Sequence, residues 1–141
     1  MSSTFHLAIP VSSIKEAEKF YCDMLGCKKG NYEAGKWQDI NFWGNELTLH
    51  EADHGLQNER HDVDMGHVSV PHFGIHLTRD VFDSIKDKIE AHDEFKYLDE
   101  PYLRFKDDEQ EQETFFIKDP SGNVIEIKTM RTPELLWADN S

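Results

Sequence analysis

His6-Leu-Ala-Ile-Pro-Val-Ser12 and His72-Phe-Gly-Ile-His-Leu-Thr78 follow one pattern: histidine, apolar, small, isoleucine, any residue, aliphatic, hydroxyl. Such self-similarity marks an internal duplication, so residues far apart in number become counterparts around one site. In each copy the alternation is that of a half-buried strand, with Leu7, Ile9 and Val11 on one face and His6, Ala8 and Pro10 on the other.

Outward from these strands the same order of elements is expected twice. In the first copy, Ser13-Ile-Lys-Glu16 fits a helix capping box, and Ile14, Ala17, Phe20, Tyr21 and Leu25 form an apolar stripe that Gly26 ends. After a turn around Gly30 and Gly35, strands are expected over Trp37–Trp43 and Glu46–Glu51, joined at Gly44-Asn45, so that the first copy reads strand, helix, then two or three strands. In the second copy a strand over Val70–Leu77 leads to a helix from Asp80 to His92, capped by Thr78 or Asp80. A short strand over Phe95–Leu98, an acidic stretch Asp99–Glu113, a strand over Thr114–Lys118, a turn Asp119-Pro-Ser-Gly-Asn123 and a last strand over Val124–Thr129 follow. The reading is one domain over 1–141: module one at 4–51, a polar linker at 52–69, module two at 70–130 and a tail at 131–141.

The first strands superpose by a step from 6 to 72, and the closing hairpins by a step from Gly44-Asn45 to Gly122-Asn123. The longer second step implies an insertion before Thr114. On this registration Leu47 and Leu49 match Ile125 and Ile127 on the helix-facing side, and Thr48 matches Glu126 on the opposite side.

Composition sets the outer limits. At 141 residues the chain can bury a core without staples. A formal net charge of −13, from 28 acidic and 15 basic residues, disfavours nucleic acid and anionic membranes as partners. No apolar stretch is long enough to span a bilayer and no secretory leader is evident, so a cytoplasmic location is the default expectation. Cys22 and Cys27 lack a Cys-x-x-Cys spacing and read as reduced packing residues. Phosphate loops, nucleophile elbows and zinc-finger spacings do not occur, which sets aside nucleotide-dependent and serine-hydrolase chemistry.

Alternation puts His6, His72 and Glu126 on the strand faces that point away from the helices. Ala8 and Gly74, two residues after each histidine, leave room beside the imidazoles. Two imidazoles and one carboxylate on rigid strands suit a divalent metal, Fe, Mn, Zn or Ni, with positions left open for substrate. Trp37, Asp39, Asn41 and Trp43 alternate onto the same side, as do Thr48, His50 and His76, and are read as pocket lining. His50, one pleat beyond Thr48, is the candidate catalytic residue. Arg104 and Lys106 are cations within the acidic stretch that either hold an anionic group of a substrate or pair locally.

The opening His6-Leu-Ala-Ile-Pro-Val-Ser, the helix ending Phe20-Tyr21-x-x-Met24-Leu25-Gly26 and the closing Phe116-x-x-Asp119-Pro120-x-Gly122-Asn123-x-Ile125-Glu126 resemble the vicinal oxygen chelate superfamily, the glyoxalase, bleomycin-resistance and extradiol-dioxygenase family. The resemblance implies an α+β fold of two βαβββ modules forming a cup-shaped mixed sheet with helices outside. It also implies a metal held at His6, His72 and Glu126, and a homodimer in which His6 comes from the same chain as the other two or from its partner. Lactoylglutathione lyases of the family carry a fourth ligand, Glu or Gln, where this chain has Thr48. That departure tilts the expectation toward an open three-ligand site of the kind found in fosfomycin-type transferases and dioxygenases, with dioxygenase-like chemistry preferred, on a small substrate that chelates through neighbouring oxygens. The alternatives are a lactoylglutathione-lyase-like isomerase and a non-catalytic drug-binding or resistance protein.

Overall fold

The computed structural model describes residues 3–52 and 70–138. The linker histidines His54, His61 and His67 lie outside the described residues. The chain divides into two compact units. Unit one comprises residues 3–52 together with Lys118–Asn123, and unit two residues 70–117 and 124–138.

Unit one runs β1 (His6–Val11), α1 (Ile14–Glu18), continued by a π-helical turn over Lys19–Met24, then β2 (Lys28–Glu33), β3 (Trp37–Phe42) and β4 (Asn45–Glu51). Unit two repeats the order with β5 (Phe73–His76), α2 (Arg79–Ala91), β6 (Tyr97–Arg104), β7 (Gln112–Lys118) and β8 (Val124–Met130). Each unit is therefore a βαβββ module, and the two four-stranded mixed sheets share one strand order, β1-β4-β3-β2 and β5-β8-β7-β6. A parallel pair needs a crossover, and α1 and α2 supply it between β1 and the hairpin of unit one and between β5 and that of unit two.

The register bears out the alignment of the two copies. Parallel pairing sets Ala8 against Thr48 in unit one and Gly74 against Glu126 in unit two. The faces that carry Leu47, Leu49, Ile125 and Ile127 are buried, with Phe20, Tyr21 and Met24 in the core of unit one and Phe82, Ile85 and Ile89 in that of unit two. Ser13 caps α1 as expected, its Oγ accepting the Glu16 N–H at 3.2 Å. Thr78 stands at the α2 N-cap but makes no side-chain bond there.

β2 is the third strand that the first copy left open; Lys-Lys-Gly-Asn-Tyr-Glu has no apolar alternation and lies fully exposed at a sheet edge. Three differences from the expected elements have physical reasons. β6 extends through Asp99, Glu100 and Pro101, residues that read as loop, because an edge strand tolerates a proline and the register shifts that interrupt its pairing with β7. β5 is shorter than expected and starts at Phe73, immediately after His72. The β3–β4 turn is centred on Trp43-Gly44, not Gly44-Asn45, since Phe42 pairs with Asn45. Both turn residues have positive φ, 47° and 86°, the conformation of a type I′ hairpin. Asn41 Oδ1 accepts the Gly44 N–H at 2.7 Å and helps hold Trp43 in that unfavoured state.

The Asp119-Pro-Ser-Gly-Asn123 turn packs into unit one through a buried polar cluster. Asp119 accepts hydrogen bonds from the Ser121 and Asn123 backbone N–H groups, from Asn123 Nδ2 and from Tyr21 Oη, all within 2.9 Å. Asn123 Nδ2 also donates to the Pro10 carbonyl, and Ser121 Oγ accepts the Ser12 N–H. Burial pushes the Asp119 carboxyl above its ordinary range against these four donors, and burial with the neighbouring Asp119 charge pushes Tyr21 up as well. Cys22 and Cys27 are free thiols, and burial drives Cys27 up to about 12, which keeps it a protonated packing residue.

Candidate functional site

The best-built constellation lies on the face of the unit-two sheet opposite α2. Glu126, between the fully buried Ile125 and Ile127, projects from that face with its side chain 12% exposed. Thr114 on β7 donates its hydroxyl to Glu126 Oε2 at 2.7 Å and fixes the carboxylate, leaving Oε1 directed at His72 Nε2, 3.2 Å away. The His72 ring packs edge-on against buried Phe116, with centroids 5.2 Å apart. Its other nitrogen, Nδ1, is 2.9 Å from the Val70 carbonyl.

That last contact decides the chemistry of the pair. A carbonyl only accepts, so Nδ1 carries the proton and a neutral His72 presents a bare lone pair at Nε2. Two acceptors facing each other at 3.2 Å need something positive between them, a proton that makes imidazolium or a cation. One imidazole nitrogen and one carboxylate oxygen, each oriented by a further hydrogen bond, form a donor set suited to a divalent transition metal.

Gly74, paired with Glu126, is required by the close approach of the two strands. A Cβ built there would fall 1.8 Å from the Glu126 carbonyl oxygen. Beyond it, His76 pairs with Lys128. Burial, and to a lesser extent the Lys128 charge, hold His76 below its ordinary value, while Glu126 acts in the other direction. Lys128 Nζ lies 3.8 Å from Glu126 Oε2. Tyr102 on β6 is raised by burial and then by Asp99 and Glu126, against Arg104. The Arg104 guanidinium stacks over Phe105 at 5.3 Å, and both side chains are exposed.

In unit one His6 occupies the position that His72 holds in unit two, two residues before Ala8, which pairs with Thr48 as Gly74 pairs with Glu126. His6 is more open, 55% exposed, and its Nδ1 is 2.8 Å from Glu46 Oε1, so a carboxylate here does the orienting that a backbone carbonyl does for His72. Thr48, the counterpart of Glu126, is buried and donates to Asp39 Oδ1 at 2.6 Å. Asp39 and Glu46 border a shallow cavity of about 260 Å³ with Thr4 and Asn41. His50 is exposed one pleat beyond Thr48, and Trp43 stands in the hairpin turn. The structure thus brings His72 and Glu126 together and joins His6 to Glu46. Among the described residues no group of three His, Cys, Asp or Glu side chains is gathered as a cation site.

Sequence reasoning passed over Thr114, Lys128 and Glu46. Period-two alternation contains the signal for Lys128, which follows Glu126 by two positions, whereas Thr114 and Glu46 become visible only once the neighbouring strands are in register.

Residues 4–127 match the Glyoxalase/Bleomycin resistance protein/Dioxygenase superfamily. The chain belongs to that superfamily. Among solved structures it is similar to a glyoxalase/bleomycin resistance protein/dioxygenase from Alicyclobacillus acidocaldarius, 27% identical over 96% of each chain with a TM-score of 0.74. The genomically encoded fosfomycin resistance protein FosX from Listeria monocytogenes is 14% identical, covering 96% of this chain and 99% of that one, with a TM-score of 0.69. A lactoylglutathione lyase from Agrobacterium tumefaciens is 18% identical, covering 99% and 98%, with a TM-score of 0.60. These last two likenesses establish the fold alone. No curated protein matches the chain. The superfamily includes both enzymes and non-catalytic members, its members commonly use divalent metals and bind small molecules, and they often form dimers. No helix among the described residues is long and apolar enough to cross a membrane.

Proposed function

We propose that this protein is a divalent-metal-dependent enzyme acting on a small substrate that chelates through neighbouring oxygens. His72 and Glu126 hold the ion, and His6 is put forward as a further ligand on the family resemblance alone, from this chain or from a partner copy. The observation that carries this reading is the facing of the His72 Nε2 lone pair and Glu126 Oε1 at 3.2 Å, with Nδ1 and Oε2 each committed to another partner. A metal held there would supply Lewis acidity or, if it is redox-active iron, dioxygen activation. The chain's own share is orientation: Val70 fixes the tautomer of His72, Thr114 fixes the carboxylate, and Phe116 walls the imidazole off from one side.

Within this reading dioxygenase-like chemistry ranks ahead of lactoylglutathione-lyase-like isomerisation, because the Thr48 hydroxyl is committed to Asp39 and is a poor metal ligand. A homodimer is also part of it. Metal content of protein purified without chelator, compared with His6→Ala, His72→Ala and Glu126→Ala, tests the proposal. Near-stoichiometric metal in wild type, with at least a tenfold loss of affinity in each variant, is expected. Wild type carrying no more metal than the variants overturns it. Oxygen uptake with catechols and isomerisation of the methylglyoxal–glutathione adduct then separate the two chemistries, and light scattering reports the oligomer.

A further inference from the structure

The face that carries His72 and Glu126 also carries a lysine whose position constrains the charge of the substrate. The Lys128 side chain is 20% exposed, and among the described residues its one counter-charge within 4.0 Å is Glu126 Oε2, at 3.8 Å. That separation is too long for a hydrogen bond, and the short bond to the same oxygen is already made by Thr114 at 2.7 Å. The ammonium donors are therefore held near the carboxylate without being satisfied by it. His76, its partner in the strand register, carries no compensating negative charge.

With Glu126 and Lys128 alone the local charge is balanced. Once Glu126 serves as a ligand of a divalent cation, with His72 neutral, the cluster carries two positive charges in excess, on a face where Glu126 and Lys128 are both largely removed from water. Such an excess is relieved most directly by an incoming anion. We propose that Lys128 is a specificity-determining residue and that the substrate is a small oxyacid anion, a chelator with two neighbouring oxygens and at least one negative charge set against the Lys128 ammonium. This rests on the metal-site reading above and adds to it the sign of the substrate's charge. Arg104, the cation singled out in the sequence, is a weaker candidate for the same task, since it is exposed and stacked on Phe105.

The test uses Mn(II)-loaded protein and two probes of one shape, lactate and lactamide, which chelate through the same pair of oxygens but differ by one charge. Paramagnetic broadening of the probe methyl resonance gives both affinities without reference to turnover. Wild type is expected to favour lactate, Lys128→Met to lower lactate affinity by at least about tenfold while leaving lactamide within about threefold, and Lys128→Arg to restore the preference. Mn(II) affinity of Lys128→Met should equal or exceed that of wild type, because a cation beside the ion has been removed. That measurement also reports that the variant is folded. Absence of Mn(II) binding in wild type overturns the metal reading and this inference together. Mn(II) binding with an unchanged lactate-to-lactamide ratio in Lys128→Met overturns this inference alone.

Discussion

Thr114 shows how one buried hydroxyl sets the geometry of a site it does not enter. Its bond to Glu126 Oε2 frees Oε1 to face His72, so Thr114→Val should leave a carboxylate of the right charge and wrong orientation. The expected result is a 10- to 100-fold weaker metal affinity, on the order seen when outer partners of metal ligands are removed. Titration of Mn(II) into wild type and variant measures it, and unchanged affinity would count against the orienting role. Gly74 acts on the same carboxylate through the backbone. A methyl group there meets the Glu126 carbonyl oxygen at 1.8 Å, an atom that cannot swing aside, so β5 and β8 must separate. Gly74→Ala should cost about 1–3 kcal/mol in urea unfolding and lower metal affinity as Glu126 shifts. A wild-type urea midpoint would refute that account. From the sequence, Gly74 reads as empty space beside the imidazole; its larger role, admitting the neighbouring strand, depends on a contact that no periodicity encodes.

Among the elements, α2 is tied to its sheet by charge as well as by Phe82, Ile85 and Ile89. Glu113, at the start of β7, accepts from Arg79 Nη1 at 2.7 Å and Lys86 Nζ at 2.8 Å, with its own side chain 14% exposed. Burial alone would push the Glu113 carboxyl up, but the bonds from Lys86 and Arg79 prevail and hold it below its ordinary 4.5. Because the folded value is the lower one, the stabilisation is complete above the unfolded value and is lost as the pH falls below it through the folded value. Glu113→Gln should therefore cost about 1–3 kcal/mol near neutrality, with the gap from wild type closing below about pH 4.5. Chemical denaturation at several pH values checks both, and a gap that widens on acidification would contradict the ion pairs. The order of elements was legible where alternation is strong, in β1, β4, β7 and β8, and so was the match of Thr48 with Glu126, because a period of two fixes the face. β2 and most of β6 were not, since edge strands bury little and carry lysines, acids and proline that also mark loops. The His72–Glu126 pair was legible for the same reason as the register, whereas Glu46 beside His6 lies across strands and has no signature along the chain.

At the scale of the whole molecule, 28 acidic residues against 15 basic ones leave a net charge of −13 that local pairs do not cancel. The attractive contacts are short, 2.7 and 2.8 Å around Glu113, whereas the unpaired acids repel one another over many ångströms. Salt distinguishes the two ranges. The screening length falls from about 30 Å at about 0.01 M to about 8 Å at about 0.15 M, which removes the long-range repulsion first and leaves close, partly buried pairs largely intact. Adding NaCl over that range to chelator-treated protein should therefore raise the thermal midpoint by about 2–4 °C for each kcal/mol of repulsion relieved, and the gain should level off once the screening length is short. Chelator treatment keeps divalent cations from binding and producing the same rise by a different route. Sodium sulfate at equal ionic strength separates screening from the strengthening of apolar burial, because the latter keeps growing with sulfate while screening saturates. A midpoint that falls with NaCl would mean that the attractive pairs outweigh the excess of acids, and that the composition of this chain is balanced in three dimensions by contacts its formal charge conceals.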